Sequence, residues 1–114
     1  MTKVKVIRKD GHITLVECDG HTCYGARGED IVCAALSSVV QTAALGLMSV
    51  AGININLARN DDKGYLKMTI PNNLTEVQII QADAILDTML CGISDLYQGF
   101  SDFIELEVKA NDVY

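Results

Sequence analysis

The sequence contains only two histidines, His12 and His21, among its 114 residues. Histidine is the usual acid and base near neutral pH, so chemistry within one chain that needs an imidazole must use one of these two. Cysteine is more frequent. There are four cysteines, Cys18, Cys23, Cys33 and Cys91. Their spacing is irregular and contains no C-x2-C pair. Histidine-dependent chemistry is therefore restricted to very few candidate residues.

Basic residues are nearly absent from the second part of the chain. Residues 1–70 contain eight lysines and arginines against seven acidic residues, whereas residues 71–114 contain one, Lys109, against eight. Neutralising phosphates requires a basic footprint, so we expect no nucleic-acid partner. The acidic part suits a basic peptide or protein partner, or it is a solvated face that keeps the chain soluble.

Charged residues are also absent from residues 31–58, a stretch long enough to cross a bilayer. Polar residues such as Ser37 and Gln41 lie near its middle, and the acidic Glu29 and Asp30 precede it where basic flanking residues are missing. We therefore predict a buried helix of a small domain and no membrane span.

Length and composition indicate one globular domain spanning residues 1–114. The hydrophobic fraction of 49% excludes a disordered chain, and in so short a protein some apolar surface is expected to face a partner or a second copy. The chain starts directly on a strand pattern with no signal peptide. We therefore expect a cytoplasmic protein with reduced thiols.

Hydrophobic periodicity predicts the element order ββαββαβ. The first helix is expected from about Asp30 to Ala51, and the second extends from its N-cap Thr75 to about Gln98. Asp10-Gly11 is a signal for a two-residue turn between the first two strands. The five strands are expected at residues 3–9, 12–18, 53–59, 65–70 and 103–109. This order predicts a two-layer α+β domain with a mostly antiparallel five-stranded sheet and two long helices on one face.

His21 and Cys33 could form a catalytic pair. His21 lies in a glycine-containing loop, and Cys33 follows in the first turn of the first helix. If Asp30 is the N-cap, Cys33 is the third helical residue, where unpaired N–H groups and the helix dipole favour a thiolate. A protonated histidine nearby would make that thiolate abundant enough for nucleophilic catalysis.

Other interpretations of these residues remain open. Cys33 begins a helical stripe that continues through Leu36 and Val40, and a cysteine in such a stripe is usually a small core residue. His21 could be a turn residue, and His12 is expected to be a solvated side chain at a hairpin end. Four residues also supply zinc ligands of the right kinds, although without a C-x2-C knuckle: Cys18, His21, Cys23 and Cys33.

The segment GHTCYGARGEDIVCAALS, residues 20–37, resembles the signature of the ribosomal-processing cysteine protease family, Prp. That signature is Gly-His, an aromatic residue, Gly-x-Asp-Ile-Val-Cys, then small residues and a serine. The chain departs from it at Thr22, where alanine is usual, and at Leu36, where valine is usual. Neither departure touches the cysteine or the histidine of the signature.

The resemblance implies a bacterial cytoplasmic cysteine endopeptidase, homodimeric and without cofactor or metal. It would remove a short N-terminal extension from a large-subunit ribosomal protein, next to large apolar or aromatic residues. Carried over by position, Cys33 is the nucleophile and His21 the general base, then acid. Supporting roles are expected for Gly28 near the oxyanion, for Asp30 as a helix cap that orients His21, and for Ser37 one turn after Cys33. The alternative is a non-enzymatic ribosome-associated or zinc-binding module in which Cys33 is structural.

Overall fold

The structure, a computed structural model, describes residues 1–20, 27–60 and 64–110, with the backbone alone at residues 27–30. The elements follow the predicted order ββαββαβ. They are β1 (Thr2–Lys9), β2 (His12–Asp19), α1 (Arg27–Ser49), β3 (Asn56–Asn60), β4 (Tyr65–Thr69), α2 (Glu76–Gly99) and β5 (Ile104–Ala110).

The strands form one sheet in the order β3-β4-β2-β1-β5. All neighbours pair antiparallel except β1 and β5, which pair parallel with Thr2 opposite Ile104. The strands joined by each helix also run in the same direction: α1 connects β2 to β3, and α2 connects β4 to β5. Strands of the same direction in one sheet need such a crossover connection. The predicted α+β class and mostly antiparallel sheet are confirmed.

The β1–β2 hairpin turns at Asp10 and Gly11, as predicted. Both residues have positive φ, 53° and 83°, which is the conformation that a two-residue type I′ turn requires. The hairpin therefore brings the first residues of β1 beside the last residues of β2, with Val4 opposite Cys18.

The core lies between one face of the sheet and the two helices. Its fully buried side chains come from both layers: Val4, Val6, Val16, Val32, Leu36, Val40, Leu47, Met68, Leu86, Ile93 and Ile104. The helices pack side by side and antiparallel, since Gly46 lies against Ile85 and Gly92 against Val39. Residues 31–49 and α2 each have the length and composition to cross a membrane, but the core helix of a soluble protein passes the same test.

The N-terminus of α2 is capped as predicted. Thr75 Oγ1 accepts from the Gln78 backbone N–H at 3.1 Å, and Gln78 Oε1 accepts from the Thr75 N–H at 3.1 Å. Gln78 Nε2 also donates to the carbonyl oxygens of Ala51 and Gly52, just beyond α1. One residue thus completes a capping box and ties the two helices together.

Two predicted strand details are wrong. β3 begins at Asn56 instead of Ile53, because Ile53 donates its N–H to the carbonyl of Leu47 and is buried against α1. Strict alternation with Ile104 and Leu106 predicts that Val108 faces the core, yet it is exposed in β5. Strands β3 and β5 are the two edges of the sheet, where alternation of residue type is a weaker guide to burial.

Candidate active site

Cys33 lies in the second turn of α1. The helix begins at Arg27, three residues before the predicted start. The backbone N–H groups that lack partners belong to the first turn, and Cys33 lies beyond that turn. The predicted stabilisation of a Cys33 thiolate by the helix terminus is therefore wrong. Asp30 lies inside the helix and is not its N-cap. The start of the helix was predicted wrongly because aspartate is favourable both at the cap and in the first turn, so its presence does not fix the boundary.

The Cys33 sulfur contacts the first residue of β1. Thr2 Oγ1 lies 3.2 Å from Cys33 Sγ and donates a hydrogen bond of 2.8 Å to the carbonyl oxygen of Gly20. Thr2 is 6% exposed and is the one buried polar residue in the part of the chain that the structure describes. Its backbone N–H donates to Phe103 at 2.9 Å, which holds it beside β5.

Gly20 allows β2 to end directly against β1. Its φ of +118° is rare for residues with a side chain, and a Cβ there would lie far inside contact distance of the Met1 carbonyl oxygen and 3.2 Å from the Thr2 Cα. Glycine is therefore required here by a close backbone approach. In the sequence, Gly20 directly precedes His21.

Cys33 opens onto a groove of about 480 Å³ between α1 and the ends of four strands. The described lining is mostly apolar: Thr2, Cys18, Gly20, Cys33, Ala34, Leu36, Ser37, Val40, Gln41, Arg59, Gly64, Tyr65 and Leu66. Leu36 and Val40 are buried in the core, whereas Cys33 is only half-buried. The position of Cys33 at the groove therefore disfavours its interpretation as a core residue.

Cys18 lines the same groove but is chemically different. Burial, with a smaller contribution from the negative charge of Glu17, raises the pKa of the Cys18 thiol to about 12. Only a thiolate is an effective nucleophile, so Cys18 is inert at neutral pH. The groove thus presents a thiol that keeps its proton at neutral pH, Cys18, beside Cys33.

Polar side chains border the groove. The Tyr65 hydroxyl donates to Glu17 Oε2 at 2.5 Å, and this bond, with smaller contributions from burial and from the charges of Glu17 and Asp19, raises the pKa of Tyr65. Ser37 Oγ accepts from Gln41 Nε2 at 2.6 Å, one turn along α1. These groups can hydrogen-bond a peptide backbone along the groove.

The structure describes some of the other predicted residues and not others. His21 and Cys23 lie outside the described residues, and Gly28 belongs to the first turn of α1. His12 is exposed at the hairpin end, as expected, and its Nδ1 lies 2.8 Å from an Asp83 carboxylate oxygen of α2. Sequence reasoning also missed Thr2, because nothing in a strand pattern indicates that a hydroxyl will meet a distant cysteine.

Zinc binding was kept as an alternative because the sequence offers four cysteine and histidine residues that could be ligands. Within residues 1–20, 27–60 and 64–110, no three histidine, cysteine or acidic side chains are grouped closely enough to hold an ion. Two members of the proposed zinc set, His21 and Cys23, lie outside those ranges. The zinc site therefore stays a prediction.

Comparison with known proteins places this arrangement in a family. Residues 1–105 match the profile of the family described as Cysteine protease Prp. The ribosomal processing cysteine protease Prp of Staphylococcus aureus is 27% identical over 104 residues, which cover 90% of this chain and 93% of that protein. The protein of the same name from Bacillus subtilis is 26% identical over 102 residues, covering 90% and 89%.

Solved structures agree with the sequence matches. A crystal structure of a Streptococcus mutans protein superposes with a TM-score of 0.87 at 27% identity, covering 97% of this chain and 96% of that one. The Staphylococcus aureus Prp in complex with a substrate peptide has a TM-score of 0.83 at 25% identity, covering 96% and 100%. The predicted fold and cysteine-protease class are confirmed, and the chain belongs to the cysteine protease Prp family.

Proposed function

We propose that this protein removes the N-terminal extension of a large-subunit ribosomal protein precursor in the cytoplasm. Cys33 is the nucleophile, and His21 is the general base and then the acid. The observation that carries the proposal is the position of Cys33, half-buried in the lining of the groove, beside Cys18, which burial keeps protonated. Support for a ribosomal substrate comes from the relatives, which are named ribosomal processing proteases.

The reaction follows acyl transfer by a thiol. His21 takes the proton from Cys33, and the thiolate attacks the scissile carbonyl carbon to form a C–S bond. Backbone N–H groups near the start of α1, with Gly28 among the candidates, donate to the oxyanion. The C–N bond then breaks as His21 protonates the leaving amine. Water then attacks the carbonyl carbon of the resulting thioester with His21 again as base. The C–S bond breaks, the acid product leaves, and the proton taken up by His21 restores the Cys33 thiol.

The groove suits an apolar segment of the substrate. Its volume of about 480 Å³ lies within the range of sites that enclose small ligands, and its walls are mostly apolar. Large apolar or aromatic side chains next to the cleaved bond would bury their surface there. Ser37 and Gln41 on one wall and Tyr65 on the other supply polar groups that can fix the register of the peptide.

The proposal includes a homodimer. Exposed apolar side chains occur on both helices, and the antiparallel packing of α1 and α2 places several at the same end of the helix layer: Leu45, Met48, Val77 and Ile80. Apolar surface of this kind on a small domain is usually covered by a partner. A second copy would bury it against an identical patch.

The substrate assignment is tested by incubating the protein with the extended ribosomal protein precursor of its own host and weighing the products by mass spectrometry. We expect two products whose masses sum to the precursor plus one water. His21→Ala should reduce the cleavage rate by at least about 100-fold, the usual size of an acid–base contribution. His12→Ala is the matched control and should cleave at the rate of the unmodified protein, because His12 bonds to Asp83 at the opposite end of β2 from Gly20.

An intact precursor after prolonged incubation with correctly folded protein would contradict the proposal. It would favour the non-enzymatic ribosome-associated alternative, in which Cys33 is structural. Equal loss of activity in His12→Ala and His21→Ala would contradict the assignment of His21 as the base.

A further inference from the structure

The hydrogen bonds of Thr2 can be resolved by counting protons. A threonine hydroxyl carries one proton and two lone pairs, and a carbonyl oxygen can only accept. The 2.8 Å bond to the Gly20 carbonyl therefore uses the single proton of Thr2. Any hydrogen bond between that oxygen and Cys33 Sγ, 3.2 Å away, must then be donated by the S–H group of Cys33. This direction of donation is open only to the thiol form of Cys33.

Loss of the Cys33 proton makes this arrangement unfavourable. A thiolate can only accept, so at the same distance two lone pairs would face each other across the contact. Rotation of the Thr2 O–H about its C–O bond removes the conflict, since only a hydrogen atom moves. The new O–H···S⁻ bond is charge-assisted and stronger than the neutral bond that it replaces.

We propose that Thr2 is a positioning residue whose hydroxyl proton turns from the Gly20 carbonyl to the Cys33 sulfur when the thiolate forms. The inference rests on the proposed function, in which Cys33 is the nucleophile. No proton leaves Thr2 in this step: the Cys33 proton goes to the general base, and the Thr2 O–H bond stays intact.

The surroundings of Thr2 hold the hydroxyl in place. The next core-facing residues of β1, Val4 and Val6, are buried valines, so a hydroxyl in this row is an exception. The backbone of Thr2 is fixed by its N–H bond to Phe103, and the β-branched side chain has few rotamers. Gly20 approaches closely because it has no side chain. The hydroxyl is thus aligned before reaction by two strands and a helix.

The test measures the ionisation of Cys33 directly. The rate of Cys33 alkylation by iodoacetamide is followed from about pH 5 to pH 10 by mass spectrometry of the Cys33 peptide, a range that spans ordinary thiol ionisation. Thr2→Val keeps the shape but removes the hydroxyl, and should move the midpoint of the profile upward by about half to one pH unit. Thr2→Ser restores the hydroxyl and should restore the midpoint.

Thr14→Val is the matched control. The Thr14 hydroxyl in β2 is also partly buried and also donates to a backbone carbonyl, that of Ile7 at 3.4 Å, but it does not line the groove. Its loss should leave the Cys33 profile unchanged. A Thr2→Val midpoint equal to that of the unmodified protein would overturn the proposal.

A second measurement needs no substitution at Thr2. The carbonyl carbon of Gly20, observed by NMR in ¹³C-labelled protein, should shift with pH at the same midpoint as Cys33 alkylation, because it loses the Thr2 hydrogen bond. The shift should be absent in Cys33→Ala. A Gly20 signal that does not titrate while Cys33 does would overturn the proposal. Both readouts follow Cys33 ionisation and not peptide cleavage, so they can fail or succeed independently of the proposed function.

Discussion

Cys18 and Cys33 line the same groove but have different surroundings. The side chain of Cys18 faces the core beside Leu66, and burial holds its proton. Cys33 contacts a hydroxyl and is half-exposed to the groove. The sequence could offer both as thiols but could not show what packs around each of them, which depends on strands that are distant in the chain.

The raised pKa of Cys18 predicts a loss of stability at high pH. The thiol keeps its proton up to about pH 12 in the folded protein, but loses it above about pH 9.0 in the unfolded chain. The unfolded state therefore binds fewer protons between these values, and stability falls as pH rises through that window. At pH 10.5 we expect Cys18 to have lost about 2 kcal/mol of its contribution to the free energy of unfolding.

Urea unfolding at pH 8 and pH 10.5 measures this loss. Cys18→Ala should reduce the pH dependence by about that amount, whereas Cys91→Ala, on the exposed side of α2, should not alter it. Tyr65 contributes in the same direction through its own raised pKa, and comparison of the variants separates the two. An unchanged slope in Cys18→Ala would contradict the assignment.

Gly20 and Gly11 form a second residue-level comparison. Both have positive φ, so alanine at either position costs about 1–2 kcal/mol in backbone strain. Only at Gly20 does the new Cβ also collide with backbone, at Met1 and Thr2, whereas nothing lies within 4 Å at Gly11. We expect Gly20→Ala to lower the free energy of unfolding by at least about 1 kcal/mol more than Gly11→Ala does. Equal losses in urea unfolding would show that the close approach carries no strain.

At the scale of elements, local sequence signals predicted turns and helix starts correctly where a residue type is favourable at only one position of the element. Asp10-Gly11 predicted the hairpin, and Thr75 predicted the start of α2. The start of α1 was misplaced because Asp30 is equally acceptable as a cap and inside the first turn. The order of strands in the sheet could not be predicted, since it is set by pairing between distant segments.

The capping box of α2 provides the prediction at this scale. Thr75→Ala removes the acceptor for the Gln78 N–H and should lower the free energy of unfolding by about 1 kcal/mol. Thr88→Ala is the control in the same helix, where the hydroxyl only bonds back to the Ala84 carbonyl. That change should be neutral or slightly stabilising, because alanine is the better helix former. Thermal and urea unfolding of the two variants make the comparison, and equal destabilisation would contradict the cap.

At the scale of the whole molecule, the groove is the feature that no stretch of sequence contains. It is built from α1 and from the ends of four strands, with Thr2 and Tyr65 separated by most of the chain. The family motif identified Cys33, but the partner Thr2 became visible only when β1 and α1 met. Residues of a continuous motif could therefore be proposed from the sequence, whereas a residue that the fold brings to the groove, such as Thr2, could not.

The proposed homodimer is tested at the same scale. Ile80→Glu places a charge in the exposed apolar patch of α2, and burying that charge in a dimer would be costly. We expect sedimentation equilibrium to show a dimer for the unmodified protein and a monomer for Ile80→Glu. Val108→Glu, an exposed apolar residue on the edge strand β5, is the control and should remain dimeric. A monomeric unmodified protein at micromolar concentration would contradict the dimer.

The most direct test of the mechanism is the rate at which Cys33→Ala removes the extension from the ribosomal protein precursor, measured by mass spectrometry beside Cys91→Ala. Cys33→Ala removes the only atom that forms the acyl-enzyme bond, while the surrounding core residues Val32 and Leu36 are unchanged. We predict no product above the uncatalysed background for Cys33→Ala and the full rate for Cys91→Ala. Cleavage by folded Cys33→Ala at a rate near that of the unmodified protein would contradict the assignment of Cys33 as the nucleophile.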